Sequence, residues 1–198
     1  MDGFIHNELK MAINTLYLDL GILKSANRTY SSQNPKNIRM ENFFQKAVFD
    51  LLQNKLRNSK FSLKFNPEKF KYFTAKSKET ESFINGRYFD LMVKNIVGAR
   101  NYKIEYEIRK FEPNCYTLLH DTEKEKPGVD FIIDFSQNAK SYFGGYTTYL
   151  TESEELLALS PKPNTLSFVE RKKGIMKYTK YFTHQNQNPI VQVVGTLT

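Results

Sequence analysis

Residues 111–150, FEPNCYTLLHDTEKEKPGVDFIIDFSQNAKSYFGGYTTYL, hold the turns and apolar runs that decide the fold. Val129–Phe135 is an apolar run of strand length entered through Pro127-Gly128, and Tyr146–Leu150 is another, entered through Gly144-Gly145. Short runs rich in β-branched and aromatic residues, bounded by turn residues, read as strands. The two glycines suit a tight turn where a side chain would clash. At the end of a third run, Tyr116–Leu119, stands His120-Asp121, the one histidine in the chain with a carboxylate beside it.

The pattern continues outward in both directions. Downstream, Leu156–Leu159, Thr165–Glu170, Ile175–Phe182 and Ile190–Leu197 are further runs, punctuated by Pro161, Pro163-Asn164 and Gly174. Upstream, Ile104, Tyr106 and Ile108 alternate with Glu105, Glu107 and Arg109, which predicts a half-buried strand over Tyr102–Arg109 with one charged face exposed. Eight closely spaced strands fit a β-sandwich or a jelly roll.

The first hundred residues have the helical period instead. Leu9, Ile13, Leu16, Leu20 and Leu23 mark one helix face, with Gly21 signalling a break near Asp19. After a loop at 31–37, Phe44, Val48, Leu51 and Leu52, widened by Ala47 and Leu56, predict a second helix. A third runs over Ser82–Val97 and stops at Gly98. Residues 58–82 read as a connection in which lysines are interleaved with aromatics. The expectation is one α+β, mainly β domain over 1–198, with a mostly helical preface in 1–100 and a β-core in 101–198.

Composition narrows the function. A chain of 198 residues, 40% hydrophobic with 16 Phe and 12 Tyr, buries a sizeable core and is not disordered. One cysteine, Cys115, excludes an intrachain disulfide, and with three histidines it excludes a Cys/His zinc cluster. Cys115 reads as a small buried residue beside a strand. The opening MDGFIHNELK lacks a signal peptide's basic start and apolar run, and no stretch approaches the ~20 apolar residues of a membrane span. A soluble cytoplasmic or nuclear protein is expected. Residues 1–110 carry 20 Lys/Arg against 11 Asp/Glu, or +9, while residues 111–198 carry 9 against 10, or −1. Within Lys55–Lys78 eight bases face one acid, Glu68. Lys60, Lys64, Lys69 and Lys71 among Phe61, Phe65, Phe70, Tyr72 and Phe73 give the composition of a partner- or RNA-binding surface.

A histidine and carboxylate at one strand and a second histidine about 60 residues on raise the two-His-one-carboxylate iron site. His120, Asp121 and His184 are the candidates. Two features of such a site are absent. The triad normally needs His-x-Asp or His-x-Glu, because alternate residues of a strand share a side, and the sequence reads His120-Asp121-Thr122. After His184 the chain holds no Lys or Arg to grip the distal carboxylate of 2-oxoglutarate. Nor is there a Gly-x-Ser-x-Gly, a P-loop or a Gly-x-Gly-x-x-Gly.

The runs CYTLLHDTEKEKPGVDFIIDFS, FGGYTTYL and EELLALSPKPNTLSFVERKKGIMKYTKYFTH resemble the C-terminal, oxygenase degradation domain of the eukaryotic ribosomal prolyl-hydroxylase family. The resemblance is specific over 109–184, in Tyr116-Thr117-Leu118, His120-Asp121, Gly144-Gly145, Glu155-Leu156-Leu157, Pro161, Asn164 and Lys180-Tyr181, and fades upstream. It implies a double-stranded β-helix (jelly roll) with supporting N-terminal helices. Members of that family carry two such domains. The first is an Fe(II)/2-oxoglutarate oxygenase that hydroxylates a proline of a small-subunit ribosomal protein. The second keeps the fold without the iron ligands and serves binding and regulation, including control of degradation. The resemblance therefore implies a non-catalytic domain with no metal and no cofactor. It would bind a protein partner, such as a separate catalytic domain or a ribosomal component, in a translation-termination setting. Two alternatives stand beside it: an active Fe(II)/2-oxoglutarate prolyl hydroxylase using His120, Asp121 and His184, and an RNA- or ribosome-binding accessory protein using the four lysines.

Overall fold

The computed structural model describes residues 13–119, 127–137, 144–184 and 188–198. Its strands are β1 (Asn37–Glu41), β2 (Ser62–Asn66), β3 (Phe70–Ala75), β4 (Ile104–Phe111), β5 (Tyr116–Thr117), β6 (Gly128–Asp134), β7 (Thr147–Leu150), β8 (Glu155–Leu159), β9 (Thr165–Arg171), β10 (Met176–Thr179) and β11 (Ile190–Leu197). Among the described residues four α-helices alternate with the first strands: α1 (Leu20–Ser32), α2 (Lys46–Arg57), α3 (Lys78–Ile84) and α4 (Arg87–Met92). None of the described helices is long and apolar enough to cross a membrane.

All pairings are antiparallel. β9, β6, β11 and β4 lie side by side in that order, with β1 beyond β9, while β5, β10, β7 and β8 form a second set. β3 pairs with both β4 and β5 and so joins the two sets, and β2 lies outside it. The sheet curls until β4, β6 and β11 share one cavity with β5, β7 and β10. This is a double-stranded β-helix with helices on its outer side.

Alternation along β6 shows why the sequence folds so. Phe131, Ile133 and Phe135 face the helices, and Asp130, Ile132 and Asp134 face the second set of strands. On the helix side Phe89 meets Phe131 at 5.0 Å and Phe168 at 6.1 Å between ring centroids, and Phe49 stacks on Phe135 at 5.7 Å. Each large side chain so buried contributes about 1.5–3 kcal/mol. Gly195 of β11 lies opposite Phe131, where a Cβ would press into that ring and into the Glu105 carbonyl. Gly144 and Gly145 have φ of 91° and 75°, and a Cβ on either would collide with Tyr181 or Ile190.

The N-terminal half follows its helical reading only in part: β1, Asn37–Glu41, is a strand of the sheet, and in the second helix's expected stripe Phe44 precedes the helix and Leu51 is exposed. The break expected near Asp19 is present: Asp19 Oδ1 accepts from Ile22 N at 2.9 Å, so α1 starts there and the preceding residues form a separate 3₁₀ turn, Thr15–Leu18. Ile13 and Leu23 are buried, but Leu16 and Leu20 are exposed, so the expected stripe is not one packed face. The expected third helix breaks at Asn85-Gly86 and closes on Gly98 in the left-handed conformation. Residues 58–82 are no mere connection: they form the β2–β3 hairpin, its turn closed by Lys69 N donating to Asn66 O at 3.0 Å.

Candidate functional site

The two sets of strands enclose a cavity of about 480 Å³. Two ionic clusters occupy its wall. In the first, Asp130 of β6 is buried and accepts from Arg171 of β9 (Nε, 3.2 Å; Nη2, 3.3 Å), from Lys177 Nζ of β10 (2.9 Å) and from Thr196 Oγ1 of β11 (2.6 Å). Burial alone would raise the Asp130 pKa; the charges of Lys177 and Arg171 outweigh it and hold the carboxylate ionised below its usual range. Lys177 comes from the opposite set of strands, so the cluster ties the two sides of the barrel together.

The second cluster centres on Glu107 of β4. Lys64 Nζ donates at 2.5 Å, Tyr72 Oη at 2.9 Å, and Arg109 at 3.0 and 3.1 Å. Burial pushes the Glu107 pKa up, but the Lys64 hydrogen bond and the Arg109 charge bring it down to about 2. Arg109 also lies over the Tyr72 ring, 4.6 Å from its centroid. The charged side of β4, expected to be exposed, thus forms cavity wall.

Deeper in the interior, Asp134 accepts from Ser136 N (2.8 Å), Gln192 Nε2 (2.8 Å) and Lys162 N (3.2 Å). Burial outweighs these bonds and raises its pKa. Cys115 is buried among Tyr72, Phe111, Phe182 and Ile190, and burial pushes its thiol up, away from the thiolate a nucleophile needs.

The sequence-derived residues are placed as follows. His120 and Asp121 lie outside the described residues. His184 is exposed and does not line the cavity. β5 and β10 align Thr117 with Thr179, and Phe182 hydrogen-bonds to Asn114 and Cys115. His184 therefore lies beyond the start of β5, whereas the chain leaving β5 toward position 120 passes Leu118 and Leu119 at the cavity. Lys64 and Lys69 also line the cavity, while Lys60 does not and Lys71 lies opposite Phe65 on the hairpin's other face, so the four lysines do not form one surface.

The fold brings Fe(II) and 2-oxoglutarate into question, and the described residues do not fit them. Among these residues no three of His, Cys, Asp and Glu are grouped as metal ligands. Asp130 and Glu107 are engaged by cations, and the inward positions of β11 are Gln192, Val194 and Thr196, with no base among them. A 2-oxoglutarate carboxylate approaching Lys177, Arg109 or Lys64 would compete with Asp130 or Glu107 for that cation.

The class of protein is thereby defined: a double-stranded β-helix (jelly-roll) domain. Three solved structures share it. A Pseudomonas putida prolyl-4-hydroxylase has TM-score 0.67 at 9% identity, covering 88% of this chain and 97% of that one. A Trichoplax adhaerens prolyl hydroxylase in complex with a hypoxia inducible factor peptide fragment has TM-score 0.63 at 12% identity, covering 92% and 91%. The epimerase SnoN from nogalamycin biosynthesis has TM-score 0.64 at 8% identity, covering 91% and 83%. At such identities the likeness establishes the fold alone. More specifically, the chain belongs to the family described as oxoglutarate and iron-dependent oxygenase degradation C-term, which matches over residues 64–197. Among curated proteins it is similar to prolyl 3-hydroxylase OGFOD1 of Xenopus laevis, 32% identical over 88 residues, and of Mus musculus, 31% identical over 83. The matches take in 41% and 40% of this chain but 17% and 15% of those proteins.

Proposed function

We propose that this chain is a non-catalytic oxygenase-fold domain that binds a protein partner in a prolyl-hydroxylase setting. The observation that carries the reading is the Asp130–Arg171–Lys177 cluster, which commits the cavity wall's buried carboxylate to internal ion pairs where a catalytic domain needs open ligands. The placement of His184 supports it, because that exposed side chain lies beyond the start of β5 and off the cavity wall. Membership in the degradation-domain family agrees. On this reading the fold is used for protein binding, through its edges and exposed faces.

The test is uncoupled turnover. An active oxygenase supplied with Fe(II), ascorbate, oxygen and 2-oxoglutarate releases succinate and carbon dioxide even without its prime substrate. The purified chain should release no succinate above a protein-free blank. Succinate formation that disappears in His120→Ala would overturn the reading and establish a prolyl-hydroxylase type of activity as the alternative to pursue.

A further inference from the structure

We propose that the outer edge of β2 is the docking site of the partner, and that the partner presents an acidic, extended segment that adds a strand alongside it. The proposal rests on the partner-binding reading above and supplies its surface and chemistry.

β2 pairs with β3 on one side, and among the described residues no strand pairs with its other side. Its outward N–H and C=O groups are a template for another strand. Natural edges are commonly protected by a lysine, and β2 carries one, Lys64. Here the ammonium is drawn to Glu107 in the cavity wall, so it does not guard the edge. By alternation Leu63 and Phe65 point to the opposite face, 54% and 56% exposed, across from Phe73 and Lys71 of β3. Two large apolar side chains at i and i+2 on a strand with one open edge give an incoming strand both a hydrogen-bonding edge and two seats for its own alternate side chains.

Charge selects the occupant. Eight bases against one acid surround this hairpin in sequence, and Lys60, Lys71 and Lys76 have no carboxylate at ion-pair distance among the described residues. A second copy of the chain pairing through the same edge would oppose like charges, which disfavours it. A segment with Asp or Glu alternating with apolar residues satisfies both features at once, its carboxylates meeting the lysines and its apolar side chains covering Leu63 and Phe65.

The experiment is fluorescence anisotropy of a labelled (Glu-Val)6 peptide titrated with the full chain at low salt. Saturable binding in the micromolar range is expected, with (Lys-Val)6 silent. Leu63→Thr/Phe65→Thr, which keeps strand-forming residues at two exposed positions, should weaken binding at least tenfold. Lys60→Gln/Lys71→Gln should weaken it severalfold and flatten its salt dependence. Circular dichroism melts matching the parent chain would show that both variants fold. No saturable binding would overturn the proposal, as would an affinity unmoved by both variants, or an oligouridylate that outcompetes the peptide through the same lysines and assigns the surface to RNA. Failure here with no succinate released removes only the edge; succinate release removes the non-catalytic reading whatever the peptide does.

Discussion

The two faces of β6 are buried alike and built on opposite principles. Toward the helices, Phe131, Ile133 and Phe135 pack among Phe89, Phe49 and Phe168, contacts that depend on volume and shape. Toward the second set of strands, Asp130 and Asp134 are held by named donors, Asp130 by side chains from β9, β10 and β11 together. A packed apolar face tolerates conservative exchange, whereas a buried carboxylate is held by its partners and leaves them stranded when it goes. In this chain the polar interior acts as a latch between the two halves of the barrel, and the apolar side holds the helices on.

The sharpest way to break this comparison is Asp130→Ala. Removing the carboxylate takes from Arg171 and Lys177 the ion pair they share in a buried setting, and urea denaturation should show a loss of about 3–5 kcal/mol. Adding Arg171→Met and Lys177→Met to that variant should recover most of the loss, because a full apolar replacement of a buried ion group is often near neutral. A loss under about 1 kcal/mol for Asp130→Ala alone would mean the latch does not hold.

Glu107→Gln probes the more exposed cluster and should cost about 1–2 kcal/mol at pH 7, less than its pKa shift suggests because solvent screens Lys64. The Glu107 pKa is depressed in the fold, so its stabilisation is present above the unfolded value, near pH 4.5, and is lost as pH falls toward about 2. The gap between parent and variant in acid-unfolding curves should therefore close over that window. A gap that persists at pH 2 would assign the effect to packing around Tyr72.

On the apolar side, Ile133→Val should cost about 0.5–1.5 kcal/mol, with no dependence on pH or salt. Smallest of all, His184→Ala should move stability by no more than about 0.5 kcal/mol, as an exposed residue off the cavity wall. A larger loss would place His184 in a network.

Much of this was legible in the sequence, for physical reasons that also mark where reading stopped. The strands of 101–198 stood out because each is a short run between turn residues, and Gly144-Gly145 announced its turn because only glycine fits it. Glycines also announced the break near Asp19 and the stop at Gly98, whereas the interruption at Asn85-Gly86 went unread because an apolar stripe does not encode it. The β2–β3 hairpin was hidden by its lysines, although Phe61, Leu63 and Phe65 already alternated with Ser62 and Lys64. The ionic latch was missed because Asp130 sits in an apolar run and its partners are 41 and 47 residues away, joined only by sheet topology. One signal was available: Asp130 and Asp134, an even number of residues apart, share a face of β6, and a strand with two acids on one face needs partners there. The histidines drew the first attention, yet the described one lies off the cavity.

The most direct measurement is anaerobic calorimetry of Fe(II), then 2-oxoglutarate, titrated into the purified chain, with His120→Ala in parallel. If internal ion pairs have taken the place of a metal site, neither titration gives saturable heat up to millimolar 2-oxoglutarate. Micromolar binding that His120→Ala abolishes would contradict that claim and return the cavity to oxygenase chemistry.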